Sequence, residues 1–158
     1  MGVKVDMDIQ EIRDYLNREV QKNIHRVIQS LLYVGETVVN EIRTSHISEW
    51  IDRTGNLRSS VGYILSVDGR PMNMSGFDSV DGPDRDKTNE DGSLTGRAYA
   101  QSLCSLYPKG IALIVVAGME YASYVEAMEN KVVLAQGEIE ARSLVNEMIQ
   151  ELNQRYSK

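Results

Sequence analysis

Cysteine and histidine are scarce in this sequence, and their scarcity excludes several kinds of site. Cys104 is the only cysteine, so the chain forms no internal disulfide and no thiolate zinc site, which is typical of proteins from a reducing compartment. We interpret Cys104 as a small buried hydrophobe. His25 and His46 lie far apart, and neither belongs to an HExxH motif. The composition therefore predicts no metal site and no cofactor, with His25 at the solvent edge of a helix.

One acidic run has a superficial likeness to a calcium-binding loop. Residues 84–92 read DRDKTNEDG. A calcium loop that begins at Asp84 needs glycine at its sixth position and a bidentate glutamate at its twelfth, where this chain has Asn89 and Thr95. A solvated acidic loop is the better interpretation, with weak divalent binding as the alternative.

Long apolar runs and clusters of basic residues are also missing. No run approaches the ~18 apolar residues of a membrane span, and residues 1–14 are acidic without the apolar centre of a signal peptide. The formal net charge is -6 at pH 7. No stripe of lysine and arginine stands out, whereas duplex-binding modules usually carry a basic face. These features predict no membrane partner, and they give no sign of a DNA-binding face, although such a face stays an open alternative.

Catalytic signatures are absent as well. The motifs GxSxG, GxxxxGK and GxGxxG do not occur. Ser59 and Ser60 have no histidine nearby in the sequence, although folding that brings a histidine close stays an open alternative. Acidic pairs such as Glu138 and Glu140 fall on charge-rich helix faces, where solvation explains them. We therefore predict no catalytic residues and no enzymatic activity.

The strongest periodic signal is a helical stripe over residues 8–45. Its members recur at spacings of three or four, or sums of these: Ile9, Ile12, Leu16, Val20, Ile24, Val27, Leu31, Val38 and Ile42. Asp8 is the predicted N-cap, and Glu11 completes a box-like start. An unbroken helix would run roughly 55 Å at ~1.5 Å per residue, which exceeds the width of a domain of this size. The helix therefore either breaks near Gly35 or extends beyond the body and packs on something else, and we expect two helices or one bent helix. Gly35 is either that break or a site of close backbone approach.

Further elements are predicted from shorter patterns. Residues 61–67 alternate and predict a half-buried strand, and residues 111–117 are apolar throughout and predict a central strand covered on both faces. A third strand is predicted over residues 131–134. Helices are predicted over residues 97–106, 120–128 and 135–156.

Two polar segments separate these elements. Residues 70–96 hold two of the three prolines, four glycines and many acids, and we interpret them as a mobile excursion. Residues 50–61 read WIDRTGNLRSSV, a tight polar turn in which Gly55 permits a reversal, Thr54 caps the residues after it and Leu57 anchors the turn in a core.

Two motifs resemble a known protein family. Residues 52–61 (DRTGNLRSSV) fit a T-G-x-L-x-x-S-[IV] turn, and residues 121–126 (YASYVE) fit a Y-A-x-Y-V-E motif that follows a strand ending near glycine. In this order, and with these flanks, they resemble small tailed-phage proteins described as tail components, head–tail joining proteins or tail-completion proteins. Residues 50–53 stand where the family usually has a proline, Ala127 stands where a glycine is frequent, and the segment 70–96 is longer than expected.

The resemblance implies a structural virion or prophage protein rather than an enzyme. It implies ring formation at the neck or upper tail, with copies of itself and neck and tail-tube proteins as partners. Such a protein would be found in the host cytoplasm during assembly and afterwards in the virion neck or tail. DNA would pass nearby without specific binding, and an acidic balance suits such a channel because carboxylates repel phosphates.

Five residues are candidates for subunit contacts. Arg53 and Arg58 flank the turn and are hypothesised to bind carboxylates of a neighbouring subunit, with surface solubility as the alternative. Tyr121, Tyr124 and Glu126 form the second candidate strip, because tyrosine is favoured at interfaces. The alternative is that both tyrosines pack on the sheet.

The sequence as a whole predicts one α+β domain over residues 1–158. A small, mostly antiparallel sheet is packed by a long N-terminal helix and a C-terminal helix. The rival interpretation is an enzyme or small-molecule-binding protein with a pocket between sheet and helices. A flat apolar patch of subunit size would favour assembly, and a preformed pocket with convergent polar groups would favour the rival.

Overall fold

The computed structural model describes residues 8–45, 52–85, 89–120, 122–123 and 134–156. Within these residues the elements are, in chain order, α1 (Ile9–Ser45), α2 (Asn56–Ser59), β1 (Val61–Val67), β2 (Arg70–Gly76), α3 (Gly92–Leu103), a 3-10 turn (Cys104–Leu106), β3 (Ile111–Ala117) and α4 (Ala135–Tyr156). This order confirms the predicted α+β class with a long N-terminal and a C-terminal helix.

The three described strands form one antiparallel sheet in the order β2-β1-β3. One face packs against α1, and α4 lies along α1 and contributes to the same apolar cluster. The other face packs against α3 through a second cluster that contains Ile64, Phe77 and Cys104. Cys104 is buried, as predicted.

The central strand of the described sheet is β1, because β2 and β3 pair with it on either side. Its residues from Val61 to Ser66 are all buried, so the prediction of a half-buried strand is wrong: helices cover both faces. Residues 111–117 belong to both apolar clusters, which confirms the predicted strand covered on both faces. Among the described strands β3 lies at an edge and not at the predicted central position. Both strand ranges are confirmed.

The segment 70–96 contains more regular structure than predicted. Residues 70–76 are β2, and α3 already begins at Gly92. The two-residue turn Asp68-Gly69 joins β1 to β2 with positive φ at both positions, the geometry of a type I′ hairpin. The prediction of an excursion without secondary structure is therefore wrong at both ends of this segment.

The helix α1 is continuous through Gly35, so the predicted break is wrong. The backbone instead approaches the sheet closely there. A Cβ atom at Gly35 would lie 2.8 Å from carbons of the Tyr63 ring, which is buried in β1. The Tyr63 hydroxyl donates to Glu36 Oε1 at 3.1 Å, and burial together with this bond raises the pKa of Tyr63 to about 12.

At the N-terminus of α1, Asp8 accepts a hydrogen bond from the Gln10 amide at 2.8 Å, which confirms the predicted cap. The predicted C-terminal helix is confirmed as α4. Residues 131–133 of the predicted third strand, and most of the predicted helix 120–128, lie outside the described residues.

Candidate interaction surfaces

The side chain of Asp52 closes the polar turn before β1. The Asp52 carboxylate accepts from the Gly55 amide at 3.0 Å and from the Arg58 amide at 2.9 Å. Gly55 has φ 79°, and a Cβ there would collide with the Val80 carbonyl oxygen. Glycine is needed at this position both for its conformation and for the close passage of the chain around residue 80. Thr54 Oγ1 accepts a long hydrogen bond from the Asn56 amide at 3.4 Å, but the N-cap of α2 is Gly55 and has no side-chain cap, so the predicted capping by Thr54 is wrong.

The repeated serines connect the turn to two other segments. Ser59 Oγ donates to the Gly55 carbonyl at 2.7 Å and accepts from the Val80 amide at 2.8 Å. Ser60 Oγ donates to the Leu57 carbonyl at 2.8 Å and accepts from the Gly118 amide at 3.1 Å. Both serines are buried. Their hydroxyls thus satisfy backbone groups that would otherwise be buried without partners.

A buried asparagine holds the segment that leads to α3. Asn56 Oδ1 accepts from Arg85 Nη1 at 2.6 Å and from the Gly92 amide at 3.3 Å. The same Arg85 nitrogen donates to the Glu90 carbonyl at 2.8 Å. These contacts fix the described residues on both sides of 86–88 to the turn.

The structure describes two of the five predicted contact residues, Arg53 and Arg58. Arg53 forms an ion pair with Asp84, with Nη2 and Nε both 2.8 Å from one carboxylate oxygen. Its carboxylate partner in the structure is therefore within the chain, and the hypothesis of a contact with a neighbour stays a prediction. The Arg58 side chain is half-buried beside the turn. Tyr121, Tyr124 and Glu126 lie outside the described residues.

The first family-like motif contacts the end of the strand that precedes the second. The Ser60–Gly118 hydrogen bond joins the end of the first motif to the glycine that precedes the second, and Val61 pairs with Ala117 in the sheet. Leu57 and Ala122 belong to one apolar cluster. In the described residues the first motif thus has a structural role, because it places the two segments side by side.

A row of exposed apolar side chains lies on the first half of α1. We call residues 9–27 the arm, which is roughly 28 Å long at ~1.5 Å per residue. The exposed fraction is 67% at Ile9, 55% at Leu16 and 36% at Ile24, but 1% at Val38 in the second half of α1. The same helical stripe is thus covered by the body in one half and open in the other. An exposed apolar face of this kind is a candidate site for a protein partner.

A row of basic residues runs along the arm, from the side opposite the stripe at Arg18 to the flank of the stripe at Arg26. Arg18, Lys22 and Arg26 recur at intervals of four, and all three are exposed. We call these residues the basic ridge. Sequence reasoning missed it, although the spacing of four on a predicted helix is a sufficient signal. His25 is exposed beside the ridge, as predicted.

Helix α4 runs antiparallel to α1. Gly137 near its start lies against Ile42 and Val38, whereas Met148 lies near Tyr33. A groove of about 350 Å³ separates the two helices and is lined by Gln29, Ser30, Tyr33, Val34, Leu144, Glu147, Met148 and Glu151. Its rim is acidic, in contrast to the basic ridge.

Two carboxylates face each other where α1 and α4 meet. Partial burial of Glu140, then the charge of Glu41 and a hydrogen bond with it, raises the pKa of the Glu140 carboxyl. In the described part of the chain, no group of three or more histidine, cysteine or acidic side chains is arranged to hold a metal ion. None of the described helices is both long enough and apolar enough to cross a membrane.

Comparison with known proteins gives no match to a family model, to a curated protein or to a solved structure.

Proposed function

We propose that this protein is a structural component of a phage or prophage particle and acts in head–tail joining or tail completion. It works by self-association and by docking to neck and tail-tube proteins. The observation that carries the proposal is the arm, a helix with an open apolar stripe that continues the stripe buried in the body. Exposed apolar surface on a rigid helix is suited to binding another protein and has no evident use in catalysis.

The fit of the sequence motifs to the fold supports the same proposal. The resemblance rests on two short segments, and the end of the first is bound to Ala117 and Gly118, the residues that precede the second. This contact is consistent with a shared architecture in which the turn and the end of β3 form one unit.

Charge distribution gives a further expectation for the assembled ring. DNA passing through a lumen is repelled by carboxylates and retained by basic side chains. We therefore propose a net acidic lumen, with the basic ridge directed away from the DNA path. A ring structure with the ridge of Arg18, Lys22 and Arg26 in its lumen would contradict this arrangement.

The proposal is tested by removing the protein during particle assembly. A nonsense mutation in its gene is expected to leave filled heads and separate tails, visible by electron microscopy, and a plasmid copy is expected to restore joined particles. Normal yields of infectious, joined particles without the protein would overturn the proposal. The genes that flank the coding sequence give an independent check, since portal, capsid and tail-tube genes are expected there.

A further inference from the structure

The apolar stripe of the arm is self-complementary. It consists of Ile9, Ile12, Leu16, Val20, Ile24 and Val27. The intervals between these residues have the same order when counted from either end of the arm. If a second arm lies alongside in the opposite direction, every apolar residue therefore meets an apolar residue. Ile9 would lie opposite Val27, Ile12 opposite Ile24, and Leu16 opposite Val20.

The charges of the arm also favour an antiparallel partner. Residues 8–14 contain three acids and one base, whereas residues 18–26 contain three bases and one acid. An antiparallel pair places the acidic end of each arm beside the basic segment of the other. A parallel pair would place segments of the same charge side by side. The helix macrodipoles add to the same preference.

Charged residues beside the stripe also favour antiparallel pairing. Asp8 and Arg26 are separated by five full turns at about 3.6 residues per turn, so they lie on the same side of the helix. Residues on the same flank approach each other when two identical helices pair antiparallel about a two-fold axis. Arg18 would lie near that axis, but it projects from the face opposite the stripe and does not meet its copy.

We propose that two copies of this protein pair through their arms, antiparallel about a two-fold axis near residue 18. The occupant of the open stripe is thus the same stripe of a second copy. This inference rests on the self-association included in the proposed function, and it names the surface and the symmetry. Because a two-fold contact closes on itself, it is additional to the head-to-tail contacts that a ring requires.

A single substitution in the stripe tests whether the arm is the contact. Leu16 is 55% exposed, so Leu16→Gln leaves the fold of the isolated chain intact. Sedimentation velocity over a concentration series is expected to show a dimer for the native chain. The dissociation constant of Leu16→Gln is expected to be at least about tenfold weaker. The matched control is Tyr33→Gln, which changes an exposed side chain in the groove between α1 and α4 and should alter the constant by less than about twofold.

Charge reversal tests the direction of pairing. The pair Glu11→Lys and Asp14→Lys leaves Glu19 as the only acid of the arm, and the pair Lys22→Glu and Arg26→Glu makes the arm predominantly acidic. Each pair alone is expected to weaken the homodimer at low salt, and an equimolar mixture of the two chains is expected to form heterodimers. A chain with all four changes has reversed polarity and is expected to recover the native dimer affinity. Circular dichroism of each variant confirms that the helix is retained.

The outcomes separate this inference from the proposed function. If the native chain associates but Leu16→Gln does not weaken it, another surface is used and the inference is overturned, while self-association stands. If Tyr33→Gln weakens association as strongly as Leu16→Gln, the arm docks in the groove of a neighbour and the two-fold pair is overturned.

If the quadruple variant fails to recover although its helix is intact, antiparallel pairing is overturned. A chain that stays monomeric at all concentrations overturns the inference, and the gene-disruption experiment then decides the proposed function.

Discussion

Because Gly35 has no side chain, the backbone of α1 can lie close to the Tyr63 ring of β1. The flat ring of Tyr63 occupies the space that a Cβ at Gly35 would need, and its hydroxyl is bound to Glu36, the next residue of the helix. The helix backbone therefore lies directly on the ring. This contact fixes where along its length α1 is attached to the sheet.

Gly35→Ala is expected to destabilise the protein although alanine favours helix. Alanine is better than glycine in a helix interior by about 1 kcal/mol. Here the new methyl carbon would meet a buried ring at 2.8 Å, and overpacking costs about 1–3 kcal/mol. We expect a net loss of about 1 kcal/mol in the free energy of unfolding, measured with urea. The same change in a Tyr63→Leu background should not destabilise, and equal losses in both backgrounds would contradict the explanation.

Asn56 is a second single residue on which a larger region depends. Asn56→Ala removes the acceptor of the Arg85 guanidinium and of the Gly92 amide. Hydrogen bonds to charged groups contribute about 1.5–3 kcal/mol, so we expect a loss of about 2 kcal/mol and faster tryptic cleavage after Arg85. Asn56→Asp keeps the accepting oxygen and serves as the control. Cleavage at the native rate in Asn56→Ala would argue against this role.

At the scale of elements, the pairing of α1 with α4 combines apolar packing with a repulsive carboxylate pair. Glu140 is less acidic in the folded protein because it is partly buried and faces Glu41. A carboxyl whose pKa is raised by folding contributes most at low pH, and its contribution is lost as the pH rises through the folded pKa. Ionised Glu140 therefore opposes the helix contact at neutral pH.

Glu140→Gln is expected to raise the melting temperature at pH 7–8 relative to the native chain. The gain should disappear below the ordinary glutamate pKa of 4.5, where the native carboxyl is protonated in both states. The pair is close to solvent, so the gain is below about 1 kcal/mol. Glu41→Gln should give a smaller gain, because it removes the neighbouring charge but not the partial burial of Glu140, and the double variant should gain no more than Glu140→Gln alone. Additive gains would show that the two carboxylates do not interact.

The elements that the sequence predicted well are those with long or strongly apolar patterns. The ranges of β1, β3 and α4 agree with the structure because each has a clear period or a continuous apolar run. In contrast, β2 reads RPMNMSG, which contains proline and has no alternation because the strand is an exposed edge. The dipeptide Asp68-Gly69 was the available signal for this hairpin.

Other features could not be predicted from the sequence, for physical reasons. A glycine inside a helix costs only about 1 kcal/mol, and burial of Val34, Val38 and Ile42 against the body outweighs it. The continuity of α1 was therefore decided by packing and not by propensity. The hydrogen bond of Asn56 to Arg85 spans 29 positions, and no local pattern reports such a contact. The likeness of the two motifs to a family gave their order but not the contact between Ser60 and Gly118.

At the scale of the whole molecule, stability is distributed unevenly along α1. Its second half contributes Val34, Val38 and Ile42 to the core, whereas the arm is largely solvated. A helix segment without tertiary packing is only marginally stable in water. The arm therefore opens more readily than the rest of the helix unless a partner covers it.

Native-state hydrogen exchange is expected to show this gradient. In dilute protein, amides of residues 12–20 should exchange at least about a hundredfold faster than those of residues 34–42. Pairing of the arms should slow the first group as the concentration rises, and should leave the second unchanged. Uniform protection along α1 in a chain shown to be monomeric would contradict the expected gradient.

Because α1 is attached to the sheet near Tyr63, a small change in the angle of the helix there moves its far end by a larger distance. Ile9 lies 26 positions before Gly35, or roughly 39 Å at ~1.5 Å per residue. A tilt of about five degrees at this pivot would displace the tip by about 3 Å, roughly the rise of two residues of helix. The angle at which the second half of α1 packs on the body thus sets the position of the far end. Small changes in the interior would be magnified into misalignment between subunits that never touch the altered residue.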